Sequence, residues 1–174
     1  MKTRITRLVL STAALCSLAA AAPASLVGAW YKGQRFSETV YAADMSGYRS
    51  AGGTDKGERM ILHGDGTYEY AAVLPGAHMG STHTGYMVAC RSYSATFEVG
   101  TYRVNGDKIT FFPKNNVATK IYEAPQTTGC PGTYSTKKEE ATTDTATWTV
   151  KGKTLRFTQP EIDKNFFNEY VRGE

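Results

Sequence analysis

Residues able to do chemistry are sparse in this chain, and their densest group is His78-Met79-Gly80-Ser81-Thr82-His83, with Met87 shortly beyond. Imidazole nitrogen and thioether sulfur together suit copper, above all the reduced ion, because soft sulfur donors prefer soft metals. The spacing itself is uninformative: a glycine-rich hairpin tip can carry two histidines with no metal at all. The expectation is therefore no metal, with His78 and His83 the candidate ligands if there is one.

Nucleophilic catalysis needs a nucleophile, a base and an orienting group in one place. His63, His78 and His83 stand in no Gly-x-Ser-x-Gly or Cys/His context. The carboxylates say little more. Asp65, within Gly64-Asp65-Gly66, is a turn former by its own side-chain chemistry, and no further oxygen donors follow it at calcium-loop spacing. Glu139-Glu140 follow Lys137-Lys138 and read as a solvated loop. The expectation is a protein that is not an enzyme and uses no cofactor.

Aromatic side chains are the other dense class: Tyr68, Tyr70, Tyr86, Tyr93, Phe97, Tyr102, Phe111, Phe112, Trp148 and Phe157 all fall in strand-like stretches. Many must be core. If Tyr68 and Tyr70 point inward their hydroxyls need partners, which a polar-edged ligand or water at a rim would supply. Tyr68, Tyr70, Tyr102, Phe111 and Trp148 are the candidate ligand contacts.

The elements that must position these residues are short strands between turns. Residues 26–31 read as a first strand; 58–63 and 67–74 flank Gly64-Asp65-Gly66; 94–104 ends at Asn105-Gly106, a strong hairpin signal, and 108–112 returns. Residues 117–123 continue, and 146–150 pairs with 154–158 across Lys151-Gly152-Lys153. Three stretches, 39–57, 75–86 and 124–144, read as long loops. In the tail, residues 161–174, the alternation of Phe167, Glu169 and Val171 favours a last strand over a helix. Seven or eight strands suit a small closed barrel or sandwich.

The first residues belong to a different kind of segment. Lys2, Arg4 and Arg7 precede an apolar run over 8–22 that is too short to span a bilayer, and small residues follow, with Ala24 before Ser25 the best cleavage point. A lipid anchor on Cys16 fits less well, because Leu15 stands where a small residue is expected. Residues 1–24 are thus expected to be a signal peptide, and 25–174 one domain. The whole chain has 20 Lys and Arg against 16 Asp and Glu, or +4; without the signal the balance falls to 17 against 16, or +1. No basic patch for nucleic acid remains. Removing Cys16 also leaves Cys90 and Cys130 as an even pair in a chain bound for an oxidising compartment, so a disulfide is expected.

Several short motifs occur in a familiar order: Leu26-Val27-Gly28-Ala29-Trp30, Asp65-Gly66-Thr67-Tyr68, Gly100-Thr101-Tyr102-Arg103-Val104, and a late Trp148-x-Val150…Leu155-x-Phe157 hairpin. In this the chain resembles the secreted bacterial lipocalin-like proteins of the calycin type. The resemblance implies an all-β, antiparallel up-and-down barrel of about eight strands. It also implies that Gly28-x-Trp30 opens the first strand, with Trp30 packed at the closed end beneath a late-strand arginine, for which Arg156 is the candidate. The function it implies is non-catalytic binding of a small, mainly apolar ligand by a secreted or periplasmic monomer that does not insert in a membrane. The alternative is an extracellular interaction module, inhibitor-like or envelope-associated, that meets a protein through loops 39–57 and 124–144.

Overall fold

The computed structural model describes residues 22–36, 56–114, 117–123, 134–159 and 167–173. Most of the expected signal peptide, most of loop 39–57 and Cys130 lie outside these residues. The described chain is all β: β1 (Gly28–Gly33), β2 (Gly57–Leu62), β3 (Thr67–Ser81), β4 (Met87–Asn105), β5 (Lys108–Pro113), β6 (Val117–Glu123), β7 (Tyr134–Glu139), β8 (Asp144–Lys151), β9 (Thr154–Thr158) and β10 (Phe167–Arg172).

Every pairing is antiparallel, and ten segments make only eight staves. β4 is long enough to hold β5 along Gly100–Asn105 and then β6 along Ser92–Phe97, on one edge, so β5 and β6 run end to end. β7 and β8 follow them in the same way, pairing with β6 and β5. The order β1-β2-β3-β4-β5-β8-β9-β10 returns on itself where Trp30 faces Arg172 and Tyr31 faces Val171. The molecule is therefore a closed eight-stranded up-and-down barrel, an arrangement that leaves no free edge around the ring.

Alternation builds the core. Successive strand residues point to opposite faces, and one parity is apolar: Trp30, Met60, Leu62, Tyr68, Tyr102, Ile109, Phe111, Leu155, Phe157 and Tyr170 form a single buried cluster. The hairpin turns at one end follow their side-chain chemistry. Asp65 Oδ1 accepts hydrogen bonds from the Thr67 amide (2.9 Å) and hydroxyl (2.6 Å), which hold its carboxyl below the ordinary carboxylate range. Gly106 and Gly152, at φ 61° and 59°, supply the left-handed conformation that the tight β4–β5 and β8–β9 turns require.

That end is closed. The chain before β1 turns back so that the Leu26 side chain is fully buried while its carbonyl accepts the Trp30 indole N–H at 2.8 Å. The arginine over Trp30 is Arg172, whose guanidinium carbon lies 4.5 Å from the ring centroid and which also donates to the Ser25 carbonyl. Arg156 does not have the expected role. It stands on the outer face of β9, paired with Glu169 at 2.7 Å and stacked on Phe167. Strand parity is the reason: Arg156 lies between inward Leu155 and Phe157, whereas Arg172 shares the inward parity of Tyr170.

Two of the expected loops contain strand: 75–81 belongs to β3 and 134–139 is β7. β3 and β4 stay paired from Thr67↔Thr101 out to Ser81↔Met87, well past the last β2 contact at Val73. Pro75 is tolerated because β3 is an edge strand from that point on. With β6 and β7 alongside, these strands form a four-stranded arm that continues the barrel wall beyond its open end. Residues 134–139, read as loop, are β7 in this arm.

Candidate ligand-binding cavity

The barrel is filled only part of the way up. Above the aromatic layer, at the foot of the arm, lies a cavity of about 360 Å³, lined at its base by Met60, Phe111, Ala146 and Phe157 and on its walls by Tyr68, Tyr70 and Tyr170. Toward the mouth it is lined by Glu98, Thr142, Thr143, Asp144, Gln159 and Asn168. The volume falls within the usual range for small-molecule sites.

Its rings are locked by mutual edge-to-face packing. Tyr68 meets Phe111 at 5.0 Å and 71°, Phe111 meets Phe157 at 5.8 Å and 81°, and Phe157 meets Tyr170 at 5.9 Å and 71°. Each contact of this kind contributes roughly 0.5–1.5 kcal/mol beyond area burial, so the aromatic base is rigid before any ligand arrives.

The tyrosine hydroxyls are held by carboxylates. Tyr68 donates to Glu98, directly across the strands from Tyr70; Tyr70 and Tyr170 both donate to Glu58 Oε2, at 3.2 and 2.8 Å. Glu58 Oε1 is 3.1 Å from the Lys32 ammonium, which donates to Asn168 Oδ1 at 2.6 Å. Gln159 Nε2 donates to Asp144 Oδ1 at 2.6 Å. Burial is the main cause that pushes the phenols of Tyr68, Tyr70 and Tyr170 well above the ordinary tyrosine value of 10.0, and the neighbouring glutamates add to it. These phenols therefore remain donors throughout the neutral range.

A pH dependence follows. A phenol whose folded pKa is raised contributes stability that is complete below the unfolded value, about 10, and is lost as pH climbs through the folded value. The barrel should lose stability progressively above pH 10. In an alkaline titration followed by phenolate absorbance, Tyr68, Tyr70 and Tyr170 should ionise only as the fold is lost, after the exposed members of the 11 tyrosines. Ionisation of all the tyrosines in one step near pH 10, with the fold intact, would contradict the burial described here.

Of the five residues expected to touch a ligand, Tyr68, Tyr70 and Phe111 line the cavity and the other two do not. Tyr102 is buried nearer the closed end, its hydroxyl donating to the His63 carbonyl at 2.7 Å. Trp148 packs against the core, its buried indole N–H without a partner among the described residues. The polar lining residues Glu98, Asp144, Gln159 and Asn168, and Glu58 and Lys32 behind them, are not among the residues expected from the sequence. A signal for some of them is present in the alternation: Lys32 follows Gly28 and Trp30 on the inward parity, Glu58 precedes Met60 and Leu62, and Glu98 precedes Gly100 and Tyr102.

His83 is exposed in the turn between β3 and β4, and Met79 and Met87 are exposed beside it; the His78 side chain lies outside the described residues. Among the described residues no group of three or more His, Cys, Asp or Glu is placed to hold a metal.

Fold and cavity together define a closed up-and-down β-barrel with one plugged end and one open, partly polar cup. Comparison with protein-family models, curated proteins and solved structures gives no match to this chain.

Proposed function

We propose that this chain is a secreted, lipocalin-like binding protein that holds a small, mainly apolar molecule in the open half of its barrel and does no chemistry on it. The observation that carries the reading is the cavity of about 360 Å³ above a preformed aromatic base. Apolar lining with a few placed polar groups is the usual make-up of a small-molecule site. The basic and apolar start of the chain supports export, with a mature protein beginning at Ser25.

Native mass spectrometry of the protein purified from its own host tests this directly: a retained small molecule is expected. A barrel that is empty as purified and takes up no apolar probe would refute it. That result would favour the interaction-module reading, for which the arm offers exposed Met79, Tyr86 and Met87 at its tip.

Export also favours a Cys90–Cys130 bridge. Cys90 is buried on β4, and a bridge would tie the segment between β6 and β7 to the arm. The mature chain should weigh two hydrogens less than its reduced form by intact mass, and reduction should cost about 4 kcal/mol of stability in the chain-entropy picture. Two alkylatable thiols in the native exported protein would remove the bridge.

A further inference from the structure

We infer that the molecule held in the cup is an organic cation, an amine or ammonium group on an apolar body of one or two rings, with its charge placed at Glu98 and Asp144. The inference rests on the binding reading above and specifies the ligand class for the same cavity.

The charge balance of the lining carries it. Among the described residues thirteen side chains line the cavity; two of them, Glu98 and Asp144, are carboxylates, and none is Lys, Arg or His. Lys32 lies just behind this lining, its ammonium 5.8 Å over the Tyr170 ring and donating to Asn168, but its charge is matched by Glu58 at 3.1 Å, so this pair leaves the carboxylates of the lining uncompensated. Among the described residues Glu98 and Asp144 receive hydrogen bonds from neutral groups alone, the Tyr68 hydroxyl and the Gln159 amide, each on a single oxygen. Their second oxygens have no partner among the described residues. Neutral donors orient a carboxylate without compensating its charge, so both anions remain to be matched by whatever fills the cup.

Position reinforces the point. Asp144 on β8 stands opposite Phe111 in the sheet register, and Glu98 lies on β4, the stave on the other side of β5. Asp144 is thus level with Phe111 at the base of the cavity, while Glu98 stands on β4 beyond Gly100, the last residue of that strand paired with β5. An apolar body seated on Phe111 and Phe157 would hold a short polar substituent at the level of the carboxylates.

The walls favour the same charge independently. Five of the lining residues are aromatic, and the face of an aromatic ring attracts a cation through its quadrupole. An anion entering this cup would meet two carboxylates and, among the described lining residues, no cation, and would strip water from all of them. A neutral guest would desolvate the carboxylates without pairing them. A cation with an apolar body is the class that satisfies both the base and the mouth, and the same two carboxylates exclude its anionic counterpart. The size agrees: the cavity holds roughly a dozen water-sized volumes at about 30 Å³ each, close to a bicyclic ring with a short chain.

Three probes sharing an indole body separate this inference from the parent reading. Tryptamine, tryptophol and indole-3-acetate carry positive, neutral and negative charge on side chains of similar length, and each would be titrated calorimetrically into mature protein cleared of any retained occupant. Tryptamine should bind at least about tenfold more tightly than tryptophol, as expected for replacing a neutral by a charge-assisted hydrogen bond, and indole-3-acetate should bind most weakly. The double variant E98Q/D144N, whose amides can still accept from Tyr68 and Gln159, should lose the preference for tryptamine while keeping its affinity for tryptophol. D144N alone, at the exposed rim, serves if the double variant fails to fold, and should lose part of the preference. Equal binding of the three probes, or tightest binding of the acetate, overturns the cation inference and leaves the apolar-binding reading standing. Persistence of the preference in E98Q/D144N overturns the assignment to these carboxylates. No binding of any probe counts against both readings.

Discussion

Replacing Trp30 with alanine should cost about 3–5 kcal/mol of stability, the range for emptying a buried aromatic site in a core that cannot collapse around it. Trp30 is fully buried, its indole N–H is bonded to Leu26, and its backbone faces Arg172 in the register that closes the barrel. Refilling the space would require the segment before β1 to move, and with it the plug of the closed end. Whole domains have only about 5–15 kcal/mol to lose, so the variant should unfold at a much lower denaturant concentration or fail to accumulate. The contact with Arg172 is a separable part of this cost. A cycle of Trp30→Ala and Arg172→Met should show non-additivity of roughly 0.5–2 kcal/mol, the range for a cation over an aromatic face. The corresponding cycle with Arg156 should be additive. Additivity with Arg172 would mean that the stacked guanidinium adds nothing.

Gly100→Val should be nearly as damaging, at about 3 kcal/mol or more, since overpacking against backbone leaves nothing free to shift. A side chain at Gly100 would run into the Phe112 carbonyl and lie 2.8 Å from the Tyr68 ring and 2.9 Å from the Pro113 Cα. Gly100 is the last β4 residue paired with β5 and the cross-strand partner of Tyr68. The missing side chain is what lets the Tyr68 ring lie against β4 with its hydroxyl at Glu98. The variant should therefore weaken ligand retention as well as stability. Gly106→Ala makes the contrast: open space surrounds that turn residue, which would meet only the left-handed penalty, about 1 kcal/mol, and should leave the cavity intact. Equal stability of Gly100→Val and Gly106→Ala would show that close packing at Gly100 is not what shapes this wall.

Much of the barrel was legible because alternation and turn chemistry are local. Gly64-Asp65-Gly66 and Asn105-Gly106 mark tight turns wherever the flanking strands end up, and the parity of Leu155, Phe157 and Tyr170 is visible with no partner in hand. The arm is hidden from local pattern for a related reason. Glycine and proline in 75–86 signal a loop on average, but an edge strand with a long partner tolerates both, and only the pairing with β4 reveals that partner.

The cavity was half legible. Tyr68, Tyr70 and Phe111 stand out as aromatic residues in strands, and inward parity also picks out Tyr102 and Trp148. Depth along the barrel separates the two groups, and depth depends on stagger between staves, which no single strand encodes. Arg156 is kept from the closed end by parity, since its place between Leu155 and Phe157 turns it outward.

The sequence alone determined what one strand and its turns decide: an all-β chain, apolar on one parity, punctuated for antiparallel neighbours. The tertiary structure decided which end is plugged, which arginine covers Trp30, and which carboxylates meet above the aromatic base. Glu98 and Asp144 are far apart in the chain and have no local pattern in common. They line one cavity because β4 and β8 pair with the two edges of β5, and that pairing is a long-range contact no single strand encodes.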